Sequence, residues 1–279
     1  MKQFRVREGD ITAVDTKTQL TTVGSDTAPG PLQVPKDAKF ITAIKVVCAE
    51  NFAAATSFSA FLRLEGAGMA NGPEALPVMA GGVPVATGGN GTNRAVRIPI
   101  NFEVVEGNEI QIFGEMAGTD VGGIGMAVEL EFSDKAGGDG KTNKTLLVEG
   151  DISAVDTRTA LTTQGSVSSP SLLIPAGYTE ISKFIYAAAA EGLADGKATF
   201  LARLGGNAVQ RGEQVKVLSA GGRIAPQSGS DSAPSVCMAQ VDEDCGIEVN
   251  PSDTISVWAE MAGDDLGTGR VVLGLVLAK

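Results

Sequence analysis

The sequence predicts an all-β protein made of two tandem jelly-roll β-sandwich domains related by internal duplication. The first observation behind this is a repeat. Residues 8–16, EGDITAVDT, return at 149–157 as EGDISAVDT, 141 positions later. Ala49-Glu50 returns as Ala190-Glu191, LRL at 62–64 as ARL at 202–204, AGG at 80–82 as AGG at 220–222, and GEMAGTDVG at 114–122 as AEMAGDDLG at 259–267. The offset drifts only between 140 and 145, so the copies are domain-sized, far longer than solenoid or propeller units of about 20–50 residues. The second observation is a series of short apolar runs with period-2 alternation. The third is glycine, 36 of 279 residues against a usual ~7%, which suits a chain with many tight turns. The predicted domains are 1–133 and 146–279, joined by a linker at 134–145.

Taken in order, the first copy offers strands at QFRV (3–6), FITAIKVVCA (40–49), FSAFLRL (58–64), AVRIPINFEV (95–104), EIQIFGEMA (109–117) and GMAVELEF (125–132). All are rich in Val, Ile and Phe and lie between Gly, Pro, Asn or Asp clusters. In the last of them Val128, Leu130 and Phe132 point one way and Ala127, Glu129 and Glu131 the other, as in a sheet with one wet face. INFEVVEGNEIQIF reads as a hairpin turning at Gly107-Asn108, with its counterpart IEVNPSDTISVW turning at Asn250-Pro251. NFAAATSFSAF (51–61) and YAAAAEGLADG (186–196) read as strands running into a loop or one short helix. SDKAGGDGKTNKT (133–145) is polar and glycine-bearing and supplies the linker.

Composition excludes several classes. Net charge is −11 with no cluster of Lys and Arg, against a nucleic-acid surface. The opening MKQFRVREGD lacks the apolar core of a secretory leader, and no apolar run of membrane-spanning length occurs. The chain has no histidine, the usual general base and the commonest transition-metal ligand, which removes His-based metal sites and Ser-His-Asp chemistry. Cys48, Cys237 and Cys245 read as small buried hydrophobes rather than a disulfide framework.

Candidate sites each have a structural reading. GGDGKT (137–142) resembles the tail of a phosphate-binding loop, but Lys135 stands where that motif needs its first glycine. Glu115 and Glu260, each inside EMAG, could serve as acid and base if they faced one another; their equivalent places in two copies favour a repeated structural role. Asp10 with Asp151, Asp15 with Asp156, Asp264-Asp265 and Asp242-Glu243-Asp244 offer oxygen ligands for a structural calcium, or serve as turn formers. The sequons at Asn90 and Asn143 read as chance, and one tryptophan (Trp258) and two tyrosines (Tyr178, Tyr186) are few for sugar stacking. The expected assignment is no catalytic, cofactor-binding or metal site, no cofactor beyond that possible calcium, and no enzyme activity.

Each copy also has a proline-bearing loop leading into a long apolar strand, PLQVPKDAKFITAIKVV (31–47) and SLLIPAGYTEISKFIYA (171–187). Each closes on a glycine-flanked strand, GIGMAVELEF (123–132) and GRVVLGLVLA (269–278). In this the whole chain resembles the double jelly-roll major capsid proteins of tailless icosahedral viruses of bacteria and archaea, as a compact member with short loops. The resemblance implies a homotrimer forming a capsomer of pseudo-sixfold outline and capsomer-capsomer contacts in a virion shell. It also implies other capsid proteins and an internal membrane as partners, no direct contact with nucleic acid, and synthesis in the host cytoplasm. The alternative is an extracellular carbohydrate-binding or adhesive module with a duplicated sandwich.

Overall fold

The computed structural model describes residues 2–21, 30–50, 57–82, 94–118, 122–163, 171–190, 196–223, 235–243, 245–264 and 268–279. Among these there is no helix. The first half holds β1 (Gln3–Ile11), β2 (Thr18–Gln19), β3 (Leu32–Gln33), β4 (Phe40–Glu50), β5 (Ser57–Glu65), β6 (Glu74–Gly82), β7 (Arg94–Glu103), β8 (Glu109–Gly118) and β9 (Ile124–Ser133). The second holds β10 (Asn143–Ile152), β11 (Thr159–Ala160), β12 (Ser171–Leu173), β13 (Glu180–Ala190), β14 (Gly196–Gly205), β15 (Gln214–Arg223), β16 (Ser235–Met238), β17 (Gln240–Asp242), β18 (Ile247–Glu248), β19 (Thr254–Gly263) and β20 (Gly269–Ala278).

In the first half β1-β9-β4-β7 form one antiparallel sheet, and β8-β5-β6, with the short β2 and β3 on β8, form the other. The second half repeats this order as β10-β20-β13-β17 and β19-β14-β15, with β11 and β12 on β19. With β2 and β3, β11 and β12, and β16 to β18 each counted as one interrupted strand, this is the eight-strand, two-sheet connectivity of a jelly roll. The isolated bridges repeat as well: Glu8 with Thr21 and Glu149 with Thr162, Val14 with Met116 and Val155 with Met261. The EGDI and EMAG motifs therefore occupy like places in both halves. Gly66 and Gly206 recur at φ +111 and +101, and a Cβ on either would lie 2.6 or 2.7 Å from a carbonyl oxygen of the neighbouring strand. Only glycine fits there.

Each half buries its own core between its sheets. Ile44, Val46, Phe58, Leu62, Val128 and Leu130 belong to the first core, and Phe184, Phe200, Leu204, Val257, Leu273 and Leu275 to the second. The alternation read in β9 holds, with Val128, Leu130 and Phe132 inward.

Three sequence expectations are corrected. The Gly107-Asn108 turn does not close a hairpin: β7 pairs with β4 and β8 with β5. That turn carries the chain from one sheet to the other, and Asn250-Pro251 does the same between β18 and β19. The linker is interrupted, since β10 begins at Asn143, inside the stretch 134–145. And β6 was not expected, because Pro77 cannot donate to a ladder. The register shift between Ala60 and Phe61 places the proline beside a bulge, where its missing N–H is tolerated. The Ala-rich stretches are strands where described (57–61, 186–190 and Gly196, which opens β14); 51–56 and 191–195 lie outside the described residues.

Candidate functional site

The feature that most distinguishes the two halves is where they meet. The sheet β10-β20-β13 lays its outer face on the outer face of β5-β6-β8. Phe61, Ala80 and Ala117 from the first half pack there with Leu147, Ala187, Ala189 and Val272 from the second. Every residue of β20 is buried, since one face fills its own core and the other fills this seam. A strand covered on both sides reads as an apolar run without alternation, as GRVVLGLVLA does. Gly274 lets the sheets approach: a Cβ there would lie 2.9 Å from Pro77 Cδ. The seam is also stitched by backbone. In the second half the strand equivalent to β7 is broken at Ala239; β16 pairs with β6 of the first half, Ala239 N–H donates to Val78 O at 2.7 Å, and β17 returns to β13.

Two charged clusters are buried in the seam. The Arg270 guanidinium lies 2.6 Å from a Glu149 carboxylate oxygen and 3.1 Å from Asp151, and it donates to Ser59 Oγ at 3.2 Å. Ser59 in turn donates to Glu149 at 2.7 Å. Burial pushes the Glu149 carboxyl upward against the opposing pull of Arg270. In the second cluster Glu74 accepts from Thr145 N–H at 2.7 Å and pairs with Lys144 at 3.2 Å. Burial outweighs the Lys144 charge and raises the Glu74 pKa to about 7. A carboxyl raised in this way holds a proton in the folded state that the unfolded chain has already released, so stability falls as pH rises from about 4.5 to 7. Glu74→Gln is expected to flatten that slope, by on the order of a few kcal/mol across the window at most. Chemical denaturation of both proteins at pH 5 and pH 7 checks it; equal slopes would contradict it.

Among the described residues, the outer faces at the two ends are not covered in this way. On β1-β9-β4-β7 the side chains of Phe4 and Val6 stand 50% and 38% exposed, beside a shallow depression of about 580 Å³ lined by Glu8, Asp10, Thr18, Val47, Ala49 and Ala127. Glu131 on that face is held by Lys2, Arg97 and Thr42, which keep its carboxyl below the usual range despite burial. On β19-β14-β15 Val215 and Val217 stand 47% and 62% exposed, and β15 has β14 as its one sheet neighbour among the described residues.

The residues singled out in the sequence fall into structural places. Glu115 pairs with Arg63, and Glu260 with Arg203 at 2.6 Å, each across its own sheet, so the two carboxylates do not share a site. Asp15 and Asp156 take φ of 52° and 51°, the left-handed turn that Asp tolerates. Asp10 lies in the depression above, Asp151 on Arg270, and Asp242 on Lys216 at 2.8 Å. Glu243 and Asp264 are exposed, while Asp244 and Asp265 lie outside the described residues. No group of three or more carboxylates or cysteines suited to a metal occurs among the described residues.

GGDGKT is a turn, with Gly137 N–H donating to Asn101 at 2.7 Å, and it leads into strand β10 rather than a helix. Asn143 is buried, its side-chain oxygen accepting from Asn101 N–H, so this sequon is closed to modification; Asn90 lies outside the described residues. Cys48 is buried in the core, and burial pushes the Cys245 thiol up to about 12. Of Trp258, Tyr178 and Tyr186, only Tyr178 is buried, and its hydroxyl lies in the interior with no hydrogen-bond partner among the described residues. Of the seam charges the sequence reading had only Asp151, in another role; the signal for the rest is Arg270, a lone charge opening an otherwise apolar strand.

No known family's pattern and no curated protein matches the chain. Solved structures similar to it include PNGF-II, at 9% identity and TM-score 0.44 over 98% of this chain and 66% of that one. The chain thus spans slightly under two thirds of PNGF-II. PNGase F, a glycosylasparaginase from Flavobacterium meningosepticum, matches at 12% identity and TM-score 0.44 over 98% and 96% of the two chains. A structure of infectious bursal disease virus, Gx strain, matches at 11% identity and TM-score 0.21 over 100% and 70%. The expectation of a chain that is no enzyme is corrected by these findings. A glycosylasparaginase stands among the matched structures.

Proposed function

We propose that this chain is a structural protein whose copies assemble, in the manner of a major capsid protein building an icosahedral shell. The observation that carries the reading is the seam. Two like sandwiches stack head to tail, the second sheet of one on the first sheet of the next, and the chain ends with one face of each kind uncovered. A contact between unlike faces is heterologous, and repeated between copies it builds rings or lattices. Three copies would set six sandwiches round one axis as a capsomer, and such capsomers would tile the shell of a virion. Extended sheets with short connections and a filled seam support a building-block role. The test is sedimentation velocity of the purified chain at micromolar concentration, with a species several times 28.5 kDa as the expected result.

A further inference from the structure

We infer that copies of this chain dock by repeating the internal seam, the β1-β9-β4 face of one on the β14-β15 face of the next. The inference rests on the assembly reading above and adds which surfaces meet. Six large hydrophobic side chains are exposed among the described residues, and four of them, Phe4, Val6, Val215 and Val217, lie on these two faces. The strand registers carry the seam's contacts onto them. Val6 lies opposite Glu129 on β9 as Leu147 lies opposite Gly274 on β20, so Val6 occupies the place of a seam residue. Leu201 lies opposite Val217 as Phe61 lies opposite Pro77, so Leu201 and Val217 occupy the places of Phe61 and Pro77. Val47, Ala49 and Ala127 stand where Ala187, Ala189 and Val272 close the seam.

The strand order and register repeat an interface the molecule already forms, and Val6 and Val217 sit at its buried positions, with Glu129 and Glu131 where Gly274 and Val276 stand. Burying them is favourable at roughly 25 cal/mol per Å² of apolar surface. The partner that fits is therefore a second copy of this chain. Glu129 corresponds to Gly274, whose added Cβ would meet Pro77, the counterpart of Val217. A Glu129→Cys, Val217→Cys protein should thus form disulfides between copies.

The experiment compares that double variant under mild oxidation with the Val217→Cys single variant, and sediments Val6→Asp, Val217→Asp and Val105→Asp. Val105 is exposed but lies off both faces, in the turn after β7. All are surface changes, and unfolding midpoints close to the parent's verify the fold. Covalent oligomers in the double variant alone, with at least tenfold weaker association for Val6→Asp and Val217→Asp and none lost for Val105→Asp, are expected. Parent association that survives both aspartates, with no cross-link, overturns this inference and leaves the assembly reading standing. A parent that stays a monomer overturns both.

Discussion

Phe61→Ala is expected to destabilise the chain by about 3–5 kcal/mol, the range for emptying a fully buried aromatic site. Phe61 is 0% exposed, yet it points away from the core of its own half and into the seam. In an isolated first half it would stand on a solvated sheet face, where substitution usually changes stability by no more than about 0.5 kcal/mol. The size of the loss therefore reads out whether the halves are packed together. Guanidinium denaturation gives the number, and a change below about 1 kcal/mol would mean that the seam does not contribute at the level its burial requires.

Arg270→Met carries a comparable expected cost for a different reason. Arg270 and Glu149 are both buried, and removing the arginine leaves a carboxylate in a low-dielectric seam with Ser59 as its remaining seam partner. Breaking one side of a buried pair costs about 3–5 kcal/mol. Methionine retains much of the side-chain volume, so the loss is of charge rather than packing. The carboxyl escapes by taking a proton, and its pKa is already raised by burial. The penalty should then be largest at neutral and alkaline pH and shrink as pH falls toward the usual carboxylate range. Replacing the pair together, Glu149→Gln with Arg270→Met, should recover a large part of the loss. A penalty independent of pH would point to packing instead of charge.

Much of the fold is legible in the residues because its signals are local. The alternation of MAVELEF marks a strand with one wet face, and burial along β9 follows it as far as Leu130, while Glu131 is buried on the outer face beside Lys2, Arg97 and Thr42. The repeat reports where the EGDI and EMAG segments sit, and the strand registers put both copies in like places. What could not be read depends on contacts distant in sequence. A short Gly-Asn turn looks the same whether its strands pair or cross to opposite sheets, so the hairpin expectation failed at β7 and β8. Pro77 concealed β6, because a bulge that excuses a proline exists only once β5 is alongside.

The seam was the largest omission. Its trace was present, in the contrast between β9 and β20: where Glu129 and Glu131 face outward in the first copy, Gly274 and Val276 stand in the second. Equivalent strands that differ in this way have different surroundings, and the more apolar one is the one covered within the chain. The carboxylates chosen from the sequence, Glu115 and Glu260, were repeated because each pairs with an arginine on its own sheet. Of the charges that join the halves, Glu149 and Asp151 repeat Glu8 and Asp10, whereas Arg270 stands where the first copy has Gly125.

Whether copies of this chain associate is read by sedimentation velocity across a range of salt. At net charge −11 the copies repel one another, and that repulsion is screened beyond about 8 Å at 0.15 M salt and about 30 Å at 0.01 M. Apolar docking under such repulsion should strengthen as salt is raised. A discrete species of several times 28.5 kDa is expected at micromolar concentration and 0.15 M salt, weakening at low salt. A single 28.5 kDa species at every concentration and salt would contradict it.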